Sequence, residues 1–374
     1  MSIPVLIAGR RTPIGNAGHG LAGLTVPDLA APILAAVAGD LRGSGIDIDI
    51  DDVVLGNCLG PGGNPARVAA LQAGLGSEVP GVTVDRQCGS GLDAVMIAAQ
   101  RVRTGDDALI LAGGAESAST APWRYWPPAD GGEPTRYTRA PFAPHGYPDP
   151  DMGVAADDLA RIRGISRERQ DSYAERSHVL AAAADFSAET VSLDGVDRDE
   201  RIRAGLTAQR LARLRPAFGP DGTATAGNSC GISEGAAVLA VTTDAVAAGI
   251  PALRVLGTAV GASDPALPGL GPVPAIRKVL ARCGVGIADV GVVEITEAFA
   301  SIVLAVVDEL GIEPELVCPQ GGAIAMGHPW GASGAILLVR LAARMLADDG
   351  PQLGLAACAI GGGQGIAMLV ERSR

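Results

Sequence analysis

Short runs of Val, Ile and Leu alternate with Ala-rich segments whose apolar residues recur at helical spacing, and this alternation limits the folds open to the chain. Residues 3–8, 52–55, 108–112, 238–242, 253–259, 291–295 and 353–360 read as strands. Residues 27–38, 89–103, 166–184, 272–283, 297–309 and 334–347 read as helices. Near-continuous apolar strands separated by helices predict an α/β protein with buried parallel or mixed sheets. Aromatic residues are only 3% of the chain while glycine contributes 52 residues, so the core must be built from small and aliphatic side chains in close contact. With 48% hydrophobic residues, disorder is excluded. No apolar run reaches the length of a bilayer span. A net charge of −12 argues against a nucleic-acid or anionic-membrane surface. Six cysteines without regular spacing form neither a disulfide framework nor a zinc site. The opening MSIPVLIAG runs directly into a strand with no signal peptide, which reads as a cytoplasmic protein.

Two stretches echo one another. QCGSGLDAVMIAAQ opens a helix from a glycine-rich turn, and the strand that follows ends in Gly113-Gly114. GHPWGASGAILLVRLAA does the same, and its strand ends in Gly361-Gly362-Gly363. A duplicated α/β core around a central insertion follows. The insertion begins at Ser119 with a stretch rich in Pro, Gly, Arg and aromatics, including Trp123, Tyr125, Trp126, Tyr137, Phe142 and Tyr147. So long a stretch without periodicity is either a functional excursion or a surface flap that makes oligomer contacts.

Cys88 directly precedes a helix and is followed by glycines at 89 and 91. A helix N-terminus favours a thiolate, so Cys88 reads as a nucleophile with a lowered pKa, or else as a small packing residue. His328 lies in a turn crowded with glycine and alanine, where an imidazole can take a thiol proton or donate to an oxyanion. His19, His145 and His178 sit in polar contexts and read as solvated. The Gly361–Gly363 turn presents backbone N–H groups to an anion or oxyanion. It lacks the lysine and Ser/Thr of a phosphate-binding loop, and no GxGxxG follows the first strand. Cys58 and Cys283 read as packing residues.

VDRQCGSGLDA, TAGNSCGISEGAA, GPVPAIRKVL, EITEAFAS, GGAIAMGHPWGASGA and IGGGQGIAM occur in the order found in thiolases, and the opening RRTPIG is similar to theirs. The resemblance spans essentially the whole chain. It implies a five-layer αβαβα core of two similar halves. These would be residues 1–118 completed by about 227–249, an inserted loop domain at 119–226 that binds CoA, and a second half at 250–374. It implies an acyltransferase acting on acyl-CoA or 3-ketoacyl-CoA through an acyl-cysteine, by thiolysis or Claisen condensation, in a homodimer or homotetramer. No metal or cofactor is implied, since coenzyme A is the substrate carrier. By position, Cys88 matches the nucleophile, His328 its activating histidine, and Gly361 with the Cys88 N–H the oxyanion hole. Met152, Phe218, Asn228, Cys230 and Phe299 match the substrate-binding wall. The alternatives are a specialised biosynthetic condensing enzyme lacking a second catalytic cysteine, or a weak thiolase-like subunit that binds acyl-CoA.

This chain departs from the family at several places. Thr296 stands where thiolases carry the asparagine of NEAFA, whose bound water completes a second oxyanion hole. Ala359 occupies the place of the family's second cysteine, and Cys358 comes one residue early. Strand alternation then predicts that Cys358 points away from Cys88, unless a bulge at 361–363 rotates it inward. Asp151 replaces a histidine before Met152-Gly153, Cys230 replaces a serine, and Cys318-Pro-Gln stands where Asn-x-Asn is usual.

Overall fold

The computed structural model describes residues 2–128 and 130–373; residues 1, 129 and 374, which the ranges above include, lie outside the description. The first half contains β1 (Pro4–Arg11), β2 (Gly15–Asn16), α1 (Val26–Gly43), β3 (Asp52–Gly56), α2 (Pro65–Gln72), β4 (Gly81–Val84), α3 (Ser90–Thr104) and β5 (Leu109–Glu116). A two-stranded hairpin follows, β6 (Arg124–Trp126) with β7 (Thr135–Tyr137), then α4 (Met152–Arg163), α5 (Arg167–Ala183) and the short α6 (Ala208–Leu211). The long strands β8 (Ser233–Thr243) and β9 (Ala252–Ala262) lead into α7 (Pro272–Cys283), β10 (Val292–Ile295), α8 (Ala300–Leu310), α9 (Ala323–Met326), α10 (Trp330–Met345), β11 (Leu353–Ile360) and β12 (Gln364–Ser373).

Two half-sheets join into one path, in the order β10-β11-β12-β9-β1-β8-β5-β3-β4. The join is the antiparallel pairing of Val5 and Leu6 with Arg254 and Leu253. Side-chain alternation assigns each strand residue to a layer. Val53, Leu55, Leu109 and Leu111 pack outward against α1 and α2, whereas Val54, Ile110 and Ala112 point inward to α3 and α10. In the second half, Leu355, Ala357, Ala367 and Leu369 face α7 and α8, while Ala356, Cys358, Ile366 and Met368 face α3 and α10. The result is five layers with α3 and α10 buried between the two sheets.

Those two helices meet at glycine. A Cβ on Gly91 would lie 2.8 Å from the carbonyl oxygen of Gly331 and 2.9 Å from the amide of Ala335, and one on Gly334 would overlap the backbone of Leu92. Only hydrogen side chains let the backbones approach this closely. The crossing brings the N-terminal ends of α3 and α10 together, one preceded by Cys88 and the other by His328.

The sequence pattern does not single out α2, α4, β4 or β12. The last is long, and it pairs antiparallel with both β11 and β9. No helix among the described residues is long and apolar enough to cross a membrane. No cluster of three potential metal ligands occurs among them either.

Candidate active site

Cys88 lies in a single 3-10 turn, Gln87–Gly89, that leads into α3. Gln87 holds a left-handed φ of 49°, a conformation that costs free energy in a non-glycine residue and fixes the direction of the next side chain. Ser90 ties the turn down, accepting from the Arg86 amide at 2.8 Å and donating to the Gln87 carbonyl at 2.6 Å. Cys88 itself keeps partial solvent access.

His328 is buried. Its amide donates to Ser233 Oγ at 3.2 Å, and its Nδ1 lies 2.6 Å from Ser333 Oγ on the first turns of α10. That contact fixes the ring and leaves Nε2 as the nitrogen open to a reacting group. Sequence reasoning alone misses Ser333; its signal is a hydroxyl five residues after His328 in an otherwise apolar helix start.

The sequence expectation of a lowered Cys88 pKa is corrected. Burial pushes the thiol up, and thiolates at Cys358 and Cys230 would push it further, while its own backbone N–H pulls it back. Burial also takes His328 down to about 4. The resting pair is therefore a neutral thiol and a neutral imidazole at pH 7. His178 also departs from the expectation. It is buried, accepts the Arg203 amide at 3.2 Å, and is lowered to about 4 mainly by burial. His19 and His145 are exposed.

Gly361 begins the turn that closes β11, and Gly362 and Gly363 both hold positive φ. A Cβ at Gly361 would overlap Gln87 Oε1 and the ring of Phe142, so the turn lies directly against the residue before Cys88. Phe142 comes from the aromatic stretch. Its ring sits under the Arg139 guanidinium, 4.7 Å away, and Arg139 also binds Asp149 at 2.8 Å. One end of that stretch therefore reaches the site, while Trp123 and Tyr147 remain exposed.

Cys358 and Ala359 face opposite sides of β11, as strand alternation predicts. The β11–β12 register is regular from Leu353↔Glu371 to Ile360↔Gln364, so no bulge intervenes. Cys358 faces the central layer, where α3 begins, and stays within electrostatic reach of Cys88. It is nonetheless completely buried, and it accepts the Thr296 hydroxyl at 3.1 Å. Burial pushes its thiol up to about 12. Ala359, partly exposed, packs on the other side with Met152, Ala298 and the Phe299 cluster. Thr296 thus spends its proton on Cys358. A cavity of about 20 Å³ beside Thr296, Gly327 and Ser333 has room for one water.

The wall residues divide. Phe218 packs on Gly153, next to Met152, and meets Phe299 edge-to-face with ring centres 5.6 Å apart. The Cys230 amide donates to the Ala298 carbonyl at 2.9 Å, and burial pushes the Cys230 thiol up to about 12. These four residues form one partly open surface. Asn228 does not join it: it is fully buried, its Oδ1 takes the Thr225 amide, and its Nδ2 donates to Asp171 and to the Thr223 carbonyl. The expectation of substrate contact there is corrected, because every polar atom of its amide is spent on the loop that carries Cys230 and on Asp171 of α5. Asp151 is exposed and lies 3.6 Å from Arg139, and Cys318 is buried against the Ile295 carbonyl.

The family model described as Thiolase, N-terminal domain matches residues 4–245, and that described as Thiolase, C-terminal domain matches residues 250–372. A protein of Escherichia coli named acetyl-CoA acetyltransferase is 43% identical over 395 residues, covering 98% of both chains. One of the same name from Pseudomonas aeruginosa is 39% identical, covering 98% of this chain and 99% of the relative. The crystal structure of the Bacillus anthracis acetyl-CoA acetyltransferase superposes with a TM-score of 0.91 at 35% identity, over 100% of this chain and 99% of the other.

Proposed function

The chain belongs to the thiolase family and is an acyltransferase of that type; from that premise we propose that Cys88 is its nucleophile, with His328 moving the proton and coenzyme A carrying the acyl group. The Cys88 sulfur attacks the thioester carbonyl as its proton passes to His328 Nε2. The carbonyl oxygen becomes an oxyanion that accepts from the backbone N–H groups of Cys88 and Gly361. Collapse of this intermediate leaves the acyl group on Cys88, and the leaving group departs with the proton from His328. In the second half-reaction the acyl group passes either to the thiol of CoA or to the α-carbon of acetyl-CoA. Met152, Phe218, Cys230 and Phe299 would hold the carrier arm.

The observation that carries this reading is the crossing of α3 and α10 at glycine, which places the Cys88 and His328 turns side by side with the Gly361 turn against Gln87. A neutral Cys–His pair suits the chemistry, since it is activated when substrate arrives. Ala359 supplies no proton to the second half-reaction, and Cys358 is closed to solvent. His328 is then the group that exchanges protons in both halves. The test is CoA-dependent cleavage of acetoacetyl-CoA to acetyl-CoA. The wild type is expected to catalyse it and Cys88→Ala to lose it; a Cys88→Ala protein with wild-type turnover refutes the assignment.

A further inference from the structure

The buried acids in the centre of the molecule include one whose contacts join the two catalytic turns. We propose that Glu116 is a positioning residue that holds the Cys88 turn and the His328 turn in register through a single carboxylate. It ends β5, an otherwise wholly apolar strand, and has no solvent exposure. Its Oε1 accepts from Asn57 Nδ2 at 2.8 Å and the Leu59 amide at 3.1 Å. Its Oε2 accepts from the Cys58 amide at 3.0 Å and the Gly331 amide at 3.1 Å.

Each side of this contact leads to the site. Gly331 lies three residues after His328, on the same first turns of α10 as Ser333. On the other side, Cys58 Sγ is 3.6 Å from Ser90 Oγ. Ser90 in turn donates to the Gln87 carbonyl at 2.6 Å. Glu116, Cys58 and Ser90 thus form one line to the residue before Cys88. The glycine at 331 is required, because a Cβ there would lie 2.9 Å from Glu116 Oε2 and 2.8 Å from the Asn57 Cα.

The four hydrogen bonds that Glu116 accepts within 3.1 Å all come from N–H groups, and the Cys58 thiol also favours its ionised form, so the contacts support the carboxylate although burial pushes its pKa up. The charge faces Cys88 together with the thiols of Cys358 and Cys230, and it faces Cys58. A second buried acid, Glu297, holds the other end of the His328 segment, accepting the Ile324 amide at 3.1 Å. Its remaining partners, Tyr173 and Ser177, lie on α5. Glu116 alone of the two reaches the Cys88 turn.

The proposal rests on the Cys88 and His328 assignments, which acyl-enzyme formation by the wild type tests separately. Glu116→Gln keeps the shape but turns one acceptor into an NH2 group facing N–H donors. Its kcat should fall about 10- to 100-fold, with KM for the acyl thioester within about threefold of wild type. Cys88 alkylation at fixed pH, assigned by peptide mapping, should rise about two- to tenfold because a nearby negative charge is gone. Glu116→Asp keeps the charge but is too short for all four contacts, so kcat should fall while alkylation stays at the wild-type rate. Unchanged kcat in either variant overturns the proposal. So does a fall in kcat of Glu116→Gln without faster alkylation, which is what loss of a merely structural contact would give. If Glu116→Gln does not fold, the Glu116→Asp pair of measurements decides.

Discussion

Replacing Ala359 with cysteine should accelerate the second half-reaction selectively. Ala359 is partly exposed on the side of Met152, Ala298 and Phe299, and its neighbour across the β11–β12 ladder is Gly365, which has no side chain to collide with. One added sulfur would therefore sit beside Met152 and Phe299, two of the residues proposed to hold the carrier arm, at a strand position fixed by regular pairing. A positioned acid–base group contributes roughly 10²–10⁴ to a rate. A thiol introduced without supporting contacts should realise the lower end, about 10- to 100-fold, on acyl transfer from Cys88 to CoA. Attack of Cys88 on the thioester needs no such group, so acylation should change by less than about threefold. Single-turnover kinetics separate the steps: acylation from the release of the first product, deacylation from the loss of the isolated acyl-enzyme on adding CoA. Equal changes in both steps, or no change in deacylation in a folded protein whose new thiol reacts with iodoacetamide, would refute the reasoning.

Other consequences are as direct. His328→Ala should slow both half-reactions, each by more than the roughly 10²–10³ expected for one lost oxyanion donor; single-turnover rates check this, and a normal rate in either half contradicts it. Because burial raises the Cys88 thiol, its alkylation rate should still climb about tenfold per pH unit beyond pH 8, and acyl-CoA should protect it; a plateau below pH 8 would mean a resting thiolate. Asp199→Ala should cost about 3–5 kcal/mol in chemical denaturation, since Asp199 holds the fully buried Arg11 at 2.8 and 3.0 Å and Arg11 would keep only Glu189 as an acidic partner. A loss below about 1 kcal/mol would show that Arg11 finds other compensation.

Much of this was legible in the sequence because the signals are local. The apolar run at 353–360 coincides with β11, and Pro272–Cys283 coincides with α7, because period and flanking glycine agree there. Cys88 and His328 stand out because glycines cluster where two helices must touch. Other features are set by tertiary placement. Alternation separates Cys358 from Ala359, but only the position of β11 between β10 and β12 decides which of them faces α3. The thiol pKa depends on how completely the surrounding layers exclude water, which a helix N-terminus does not reveal. Asn228 lies inside a matching motif yet serves the loop behind the wall. Glu116 had a readable signal, a carboxylate closing an entirely apolar strand, but its four donors come from separate segments of the chain.

The most direct test of the account is to mix the wild-type protein with acetyl-CoA, quench, digest and map the acetyl group by mass spectrometry. A thioester-linked acetyl group is expected on the peptide carrying Cys88, released by added CoA and absent from Cys88→Ala. Acetylation of Cys58, Cys230 or Cys358 instead, or turnover with no adduct on Cys88 under any quench, would contradict it.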